Sequence, residues 1–94
     1  MKDKFKLFLT VKTREKIVYQ GQVKAASSFN TIGPFDILPE HENFISLINK
    51  ALIIHELSGK KTEIQFDTAL LRVVEDNLEV YLGVRNLSQL QTQK

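Results

Sequence analysis

The chain has 94 residues, 43% of them hydrophobic and 26% charged, with a formal net charge of +2 and no cysteine. That length suits one compact domain, and the composition is ordinary for a soluble globular protein. The lack of cysteine excludes a disulfide scaffold and a thiolate metal site, and no run approaches the roughly 20 apolar residues of a membrane helix.

From the start of the chain, Met1-Lys2-Asp3-Lys4 is basic, but the apolar residues after it alternate with polar ones, so no signal peptide is expected. Residues 5–12 place Phe5, Leu7, Leu9 and Val11 on one face, with Lys6, Thr10 and Lys12 on the other and Phe8 among them. That period of two predicts a half-buried strand. Thr13-Arg14-Glu15 turns the chain. Residues 16–26 return as a strand that Gly21 is expected to bend or bulge. Residues 27–34, with two serines, Asn30, Thr31, Gly33 and Pro34, read as a loop.

Phe35 to Leu38 is a short strand stopped by Pro39, and Glu40 to Asn43 is a polar turn. Strands are predicted at 44–48, 51–57, 62–66 and 69–75, with turns at Ser58-Gly59-Lys60-Lys61 and at Asp76-Asn77. Leu78, Val80, Leu82 and Val84 then alternate with Glu79, Tyr81, Gly83 and Arg85. Short strands at even spacing predict an all-β, two-layer antiparallel β-sandwich of about 8–10 strands. It would occupy residues 1–85, with a polar tail at 86–94.

Charge is uneven. Residues 1–24 carry seven Lys/Arg against two acids, and residues 25–94 six against nine. The basic end could meet an acidic partner or lipid headgroups, or be a solvated strand face whose lysines discourage edge pairing. Lys4, Lys6, Lys12, Arg14, Lys16 and Lys24, interleaved with Phe5, Phe8 and Tyr19, also leave a small nucleic-acid-binding barrel as a reading. Against it, Phe5 falls on the apolar face and the net charge is mild.

No catalytic constellation emerges. His41 and His55 are the only histidines. Glu40 and Glu42 flank His41, but neighbours on a turn do not converge on one ion. The two read as a loop histidine bonded to backbone and a strand histidine with a partly exposed ring. Ser27, Ser28, Ser46 and Ser58 lie in no nucleophile elbow, and there is no Walker loop or dinucleotide-binding glycine run.

Gly33-Pro34-Phe35-Asp36-Ile37-Leu38-Pro39-Glu40-His41, followed by the apolar Phe44 to Ile48, resembles the signature loop of the ATP synthase epsilon subunit. Val11 to Val23 is similar to that family's opening hairpin. Leu71-Arg72-Val73 through Asn77-Leu78-Glu79-Val80-Tyr81-Leu82 is similar to its last hairpin. The resemblance covers about residues 5–84 in matching order. It departs from the family at several glycines. Glu40 stands for the glycine after the proline and Asp36 for the one before Ile37. Lys50-Ala51 stands for a Pro-Gly and Thr68-Ala69 for a Gly-Gly. Each loss is expected to remove a place where the backbone takes positive φ or approaches closely.

The resemblance implies a non-catalytic rotor subunit of the central stalk in a proton- or sodium-translocating rotary ATP synthase, coupling the gamma subunit to the c ring. It implies one copy per complex, at the cytoplasmic face of the membrane and attached only through the complex, with no cofactor, metal or nucleic acid. By position, Thr13 and Ser46 would touch the gamma subunit. Ile32, Pro34, Asp36 and His41 would lie at the ring-facing end. Ile37, Leu38 and Pro39 read as core packing and turn closure. The family chain usually continues into a two-helix hairpin that in some members binds ATP and restrains hydrolysis. These 94 residues have no length for it, so neither property is expected. An interaction module of the same fold in another assembly is the alternative.

Overall fold

A computed structural model describes residues 6–83. It contains six strands: β1 (Leu7–Lys12), β2 (Ile17–Phe29), β3 (Pro34–Ile37), β4 (Phe44–Glu56), β5 (Lys61–Val74) and β6 (Asn77–Leu82). They form one sheet in the order β1-β6-β5-β4-β2-β3, and β1 also pairs with β2. The circuit β1-β6-β5-β4-β2 therefore closes on itself, a barrel-like wall, and β3 hangs from β2 as the one described strand with a single neighbour.

The all-β expectation holds. Three features differ from the sequence reading. The described strands are fewer and longer, because segments read as separate strands are continuous. Residues 44–48 and 51–57 join into β4, and 62–66 and 69–75 into β5, across a register shift between Asn49 and Lys50 where Asp67 is the extra residue. A bulge bends a strand without ending it. Gly21 stays in register opposite Leu9, and the shifts along β2 fall instead at Val18, opposite the Val11–Lys12 step, between Val23 and Ala25 and between Ser27 and Phe29. Finally, β1 and β6 run parallel, Leu9 opposite Leu78 and Val11 opposite Val80, which a purely antiparallel sandwich does not contain.

Two loop assignments also move. Ser27, Ser28 and Phe29 belong to β2, and only Asn30 to Gly33 make the turn. Serine suits a strand here because both hydroxyls find partners. Ser28 Oγ, fully buried, donates to the Ala51 carbonyl at 2.7 Å, and Ser27 Oγ to Asp36. The last hairpin turns at Glu75-Asp76, one residue before the expected Asp76-Asn77. Glu75 and Asp76 have φ of 49° and 66° between paired Val74 and Asn77. Two left-handed central residues are what the type I′ turn requires.

Alternation fills the interior. Leu7, Leu9, Val11, Val23, Ile37, Ile48, Leu52, Ile54, Leu71, Val73, Leu78 and Val80 are completely buried. Each contributes about 1.5–3 kcal/mol by leaving water. Tyr19, Phe35, Phe44, Ile64, Phe66 and Leu82 pack round their margin. Phe8, on the polar side of β1, is 41% exposed, as its place in the alternation implied. Phe5, Val84, Arg85 and the polar tail lie outside the described residues.

Candidate functional site

The signature segment leaves β3 through a tight turn. The His41 N–H donates to the Leu38 carbonyl at 3.1 Å, Pro39 occupies the second position, and Glu40 takes φ 67° at the third. Proline followed by a left-handed residue is the type II pattern, whose third position favours glycine. Glutamate adopts the conformation nonetheless, and so does Lys50, at 74°. The expectation that a lost glycine removes positive φ is therefore corrected at Glu40; in the Pro-Gly pair the left-handed residue is Lys50, in the proline's place, and Ala51, in the glycine's place, does not take that conformation.

Bonds from elsewhere hold the turn. The Glu40 N–H donates to Asp76 Oδ1 at 2.6 Å, and the Glu75 N–H donates to Asn43 Oδ1 at 3.2 Å. Asp76 is 7% exposed, and its carbonyl accepts from the Phe8 N–H at 2.9 Å. One acidic residue in the β5–β6 turn thus ties down both the signature turn and the start of β1. His41 Nδ1 donates to the Glu42 carbonyl at 2.8 Å, and its ring stands edge-on to Phe44, 5.6 Å between centroids. Phe44 meets Phe35 in the same fashion at 5.7 Å. Ile37 is core and Pro39 closes the turn, as expected, but Leu38 is 56% exposed and does not pack in the core.

The other expected ring-end residues follow the β2–β3 hairpin. Its tip is closed by reciprocal backbone bonds between Asn30 and Gly33. Asn30 Oδ1 also accepts from the Ile32 and Gly33 N–H groups. This bracing presents Ile32 at 94% exposure. Pro34 and Asp36 alternate on the exposed side of β3, while Phe35 and Ile37 face the interior. Ile32, Pro34 and Asp36 therefore share one hairpin, and His41 sits beyond it among aromatic rings.

Thr13 and Ser46 lie elsewhere. Thr13 Oγ1 accepts from the Glu15 and Lys16 N–H groups at 3.2 Å and shapes the β1–β2 turn. Ser46 is on β4, where its hydroxyl accepts from Asn30 Nδ2 at 3.4 Å. Ser46 stands level with Leu71, Val80 and Val11 on β5, β6 and β1, three strands along the wall in that direction.

Two polar groupings escaped the sequence. On the outside of β5, β6 and β1, Arg72 Nη1 and Tyr81 Oη both donate to Glu79 Oε1 at 2.9 Å. Lys12 Nζ lies 4.8 Å from the centre of the Tyr81 ring. Burial works to raise the Glu79 carboxyl, but the bonds from Tyr81 and Arg72 and the charges of Arg72 and Lys12 outweigh it and leave it lowered. Burial, and then Glu79, push the Tyr81 phenol up. In the second grouping, Ser27 Oγ reaches Asp36 Oδ1 at 2.6 Å and His55 Nε2 at 2.9 Å. A hydrolytic triad puts histidine between serine and carboxylate. Here serine stands in the middle, and its proton goes to the carboxylate rather than to a base.

No family model matches the sequence. The chain is similar to the ATP synthase epsilon chain of Campylobacter hominis, 32% identical over 93 residues, covering 90% of this chain and 72% of the relative. It is also similar to the ATP synthase epsilon chain of Nitratiruptor sp., 34% identical over 71 residues, covering 74% of this chain and 55% of the relative. Among solved structures, a chain of the Euglena gracilis mitochondrial ATP synthase shares the fold at TM-score 0.79 and 16% identity, over 93% of this chain and 60% of that one. A chain of the Tetrahymena thermophila mitochondrial ATP synthase central stalk and c ring does so at TM-score 0.67 and 12% identity, over 99% and 75%.

Proposed function

The chain belongs to the ATP synthase epsilon-chain family, and from that premise we propose that it is a non-catalytic rotor subunit of the central stalk, joining the gamma subunit to the c ring. The observation that carries this reading is sequence identity spread over nearly the whole chain, joined to the same all-β fold. A closed wall around a close-packed core deforms little, so it passes torque by rigid contact and needs no chemistry. The proposed station is the cytoplasmic face of an energy-coupling membrane, held there through the complex.

In this reading the braced hairpin with Ile32, Pro34 and Asp36, and His41 beyond it, face the ring, and Thr13 and Ser46 meet the gamma subunit. Support for the ring end comes from the exposure of Ile32 and the bonds that hold the hairpin tip rigid.

The chain has no cysteine, so single-cysteine variants report one position each. Affinity-tagged protein should co-purify with gamma and c subunits. Ile32→Cys should cross-link to a c subunit and Thr13→Cys to gamma. Purification with unrelated proteins and neither of these would refute the reading and favour an interaction module of another assembly.

A further inference from the structure

Asp36, Ser27 and His55 stand on three neighbouring strands, β3, β2 and β4, and the bonds joining them have one workable direction. Ser27 Oγ is 2.6 Å from Asp36 Oδ1 and 2.9 Å from His55 Nε2. A hydroxyl has a single proton, and an ionised carboxylate can only accept. The Ser27 proton therefore goes to Asp36. His55 must then carry a proton on Nε2 and donate it to the Ser27 oxygen. We propose that these three residues form a one-way hydrogen-bond clamp that fixes the edge strand β3 to the barrel and commits the neutral ring of His55 to the Nε2–H tautomer.

Backbone pairing holds β3 on one side only. β3 has four residues, begins with a proline that lacks an N–H, and has only β2 beside it. Its backbone bonds reach β2 and stop there. The side-chain clamp extends the tie through β2 to β4, which is anchored along its length by β5. The link depends on Asp36. A glycine at that position has no acceptor to offer, so the clamp is a property of this sequence rather than of the fold. Asp36 acts here as a positioning residue.

The direction of the clamp does not depend on the charge of His55. Proton uptake at Nδ1 leaves the Nε2–H donor in place. The groups facing the ring are Asp36 through Ser27, Lys61 directly opposite on β5 and Glu63 two pairs further along; Ala25, opposite on β2, carries no charge. The clamp opens from the Asp36 end, when the carboxylate is drawn off by a competing donor. The Ser27 hydroxyl is then free to turn to His55, whose Nε2 becomes the acceptor and whose proton moves to Nδ1. Release of β3 and the tautomer of His55 are thus two readings of one event.

The test combines nitrogen-15 NMR of His55 with amide hydrogen exchange. In the unmodified chain at a pH where the ring is neutral, Nε2 should carry the proton. Ser27→Ala and Asp36→Gly should each speed exchange of the β3 amides roughly tenfold, the size expected for losing a bond to a charged group. Amides of β5 and β6 should keep their rates. His55→Gln, whose side-chain N–H can still donate, should keep β3 slow. A proton on Nδ1 in the unmodified chain would overturn the proposal, and so would unchanged β3 exchange in Ser27→Ala. Uniform acceleration across all strands would overturn it too, since that reports general loss of stability. If Ser27→Ala does not fold, the tautomer of the unmodified chain decides.

Discussion

The backbone N–H of Glu40 and the carboxylate of Asp76 meet at 2.6 Å, joining two turns 36 residues apart in sequence. A carboxylate that accepts from a backbone N–H in a mostly buried setting makes a bond stronger than its neutral equivalent. Asp76→Ala should cost about 1–3 kcal/mol, since the Glu40 N–H loses its partner and alanine is strained at the φ of 66°. Asp76→Asn tolerates that conformation and keeps an acceptor, so its loss should be smaller, about 1 kcal/mol. Urea denaturation of the two variants checks the order. Equal losses would show that neither the bond nor the conformation distinguishes them.

Glu40 and Lys50 hold left-handed backbones at 67° and 74° without being glycine. Such strain costs a side-chain-bearing residue about 1–2 kcal/mol, and the extra unfolded-state freedom of glycine returns part of it. Glu40→Gly and Lys50→Gly should therefore each stabilise the fold by roughly 0.5–1 kcal/mol. The denaturant midpoint should rise with an unchanged slope. Lys50→Gly also gives up the contact of Lys50 Nζ with the Phe29 ring at 5.2 Å, so its gain should be the smaller.

The Tyr81–Glu79–Arg72 group sets two pH limits. The Tyr81 phenol is raised above its ordinary 10.0 by burial and then by Glu79. The unfolded chain loses that proton first as pH climbs past 10, so stability falls from there upward. Glu79 is lowered, so its contribution is present above the ordinary carboxylate value of 4.5 and fades as pH drops through the folded value. Both side chains of the Arg72–Glu79 pair are partly exposed, which limits the acid effect to a few tenths of a kcal/mol. Tyr81→Phe should reduce the alkaline limb, leaving the part due to Tyr19, which burial and Glu56 also raise, and Arg72→Ala should shrink the acid one. Thermal melts across pH would expose a mistake in either sign.

Ser28 tests the bend between β2 and β4. Its buried hydroxyl bonds the Ala51 carbonyl at 2.7 Å beside a register shift. Ser28→Ala should destabilise by about 1 kcal/mol, the net worth of an ordinary hydrogen bond. Ser28→Val should do worse, because it adds volume where packing is complete. A valine variant as stable as the alanine one would show that the site has room to spare.

Much of the architecture was visible in the residues. Leu7, Leu9 and Val11, and later Leu78 and Val80, alternate cleanly because each strand keeps one dry face. The fusions that make β4 and β5 were hidden. Asn49-Lys50 and Asp67 read as polar breaks, and only pairing shows that the strands pass through them. The last turn was misplaced by one residue because Asp-Asn is the better local turn pair. The chain instead puts Glu75 and Asp76 there, where Asp76 can reach Glu40. The signature turn could be read from Pro39 and the residues around it. The Ser27–Asp36–His55 grouping could not, because it depends on register across three strands at once. No local spacing encodes that.

The parallel pairing of β1 with β6 has a consequence for synthesis. The first described strand finds one of its two neighbours only after the last has left the ribosome. A nascent chain that has emerged as far as β5 has one side of β1 unzipped and a dry face open to water. The wall therefore closes late, and a product stalled or clipped before β6 should be a substrate for chaperones and proteases rather than a smaller stable domain.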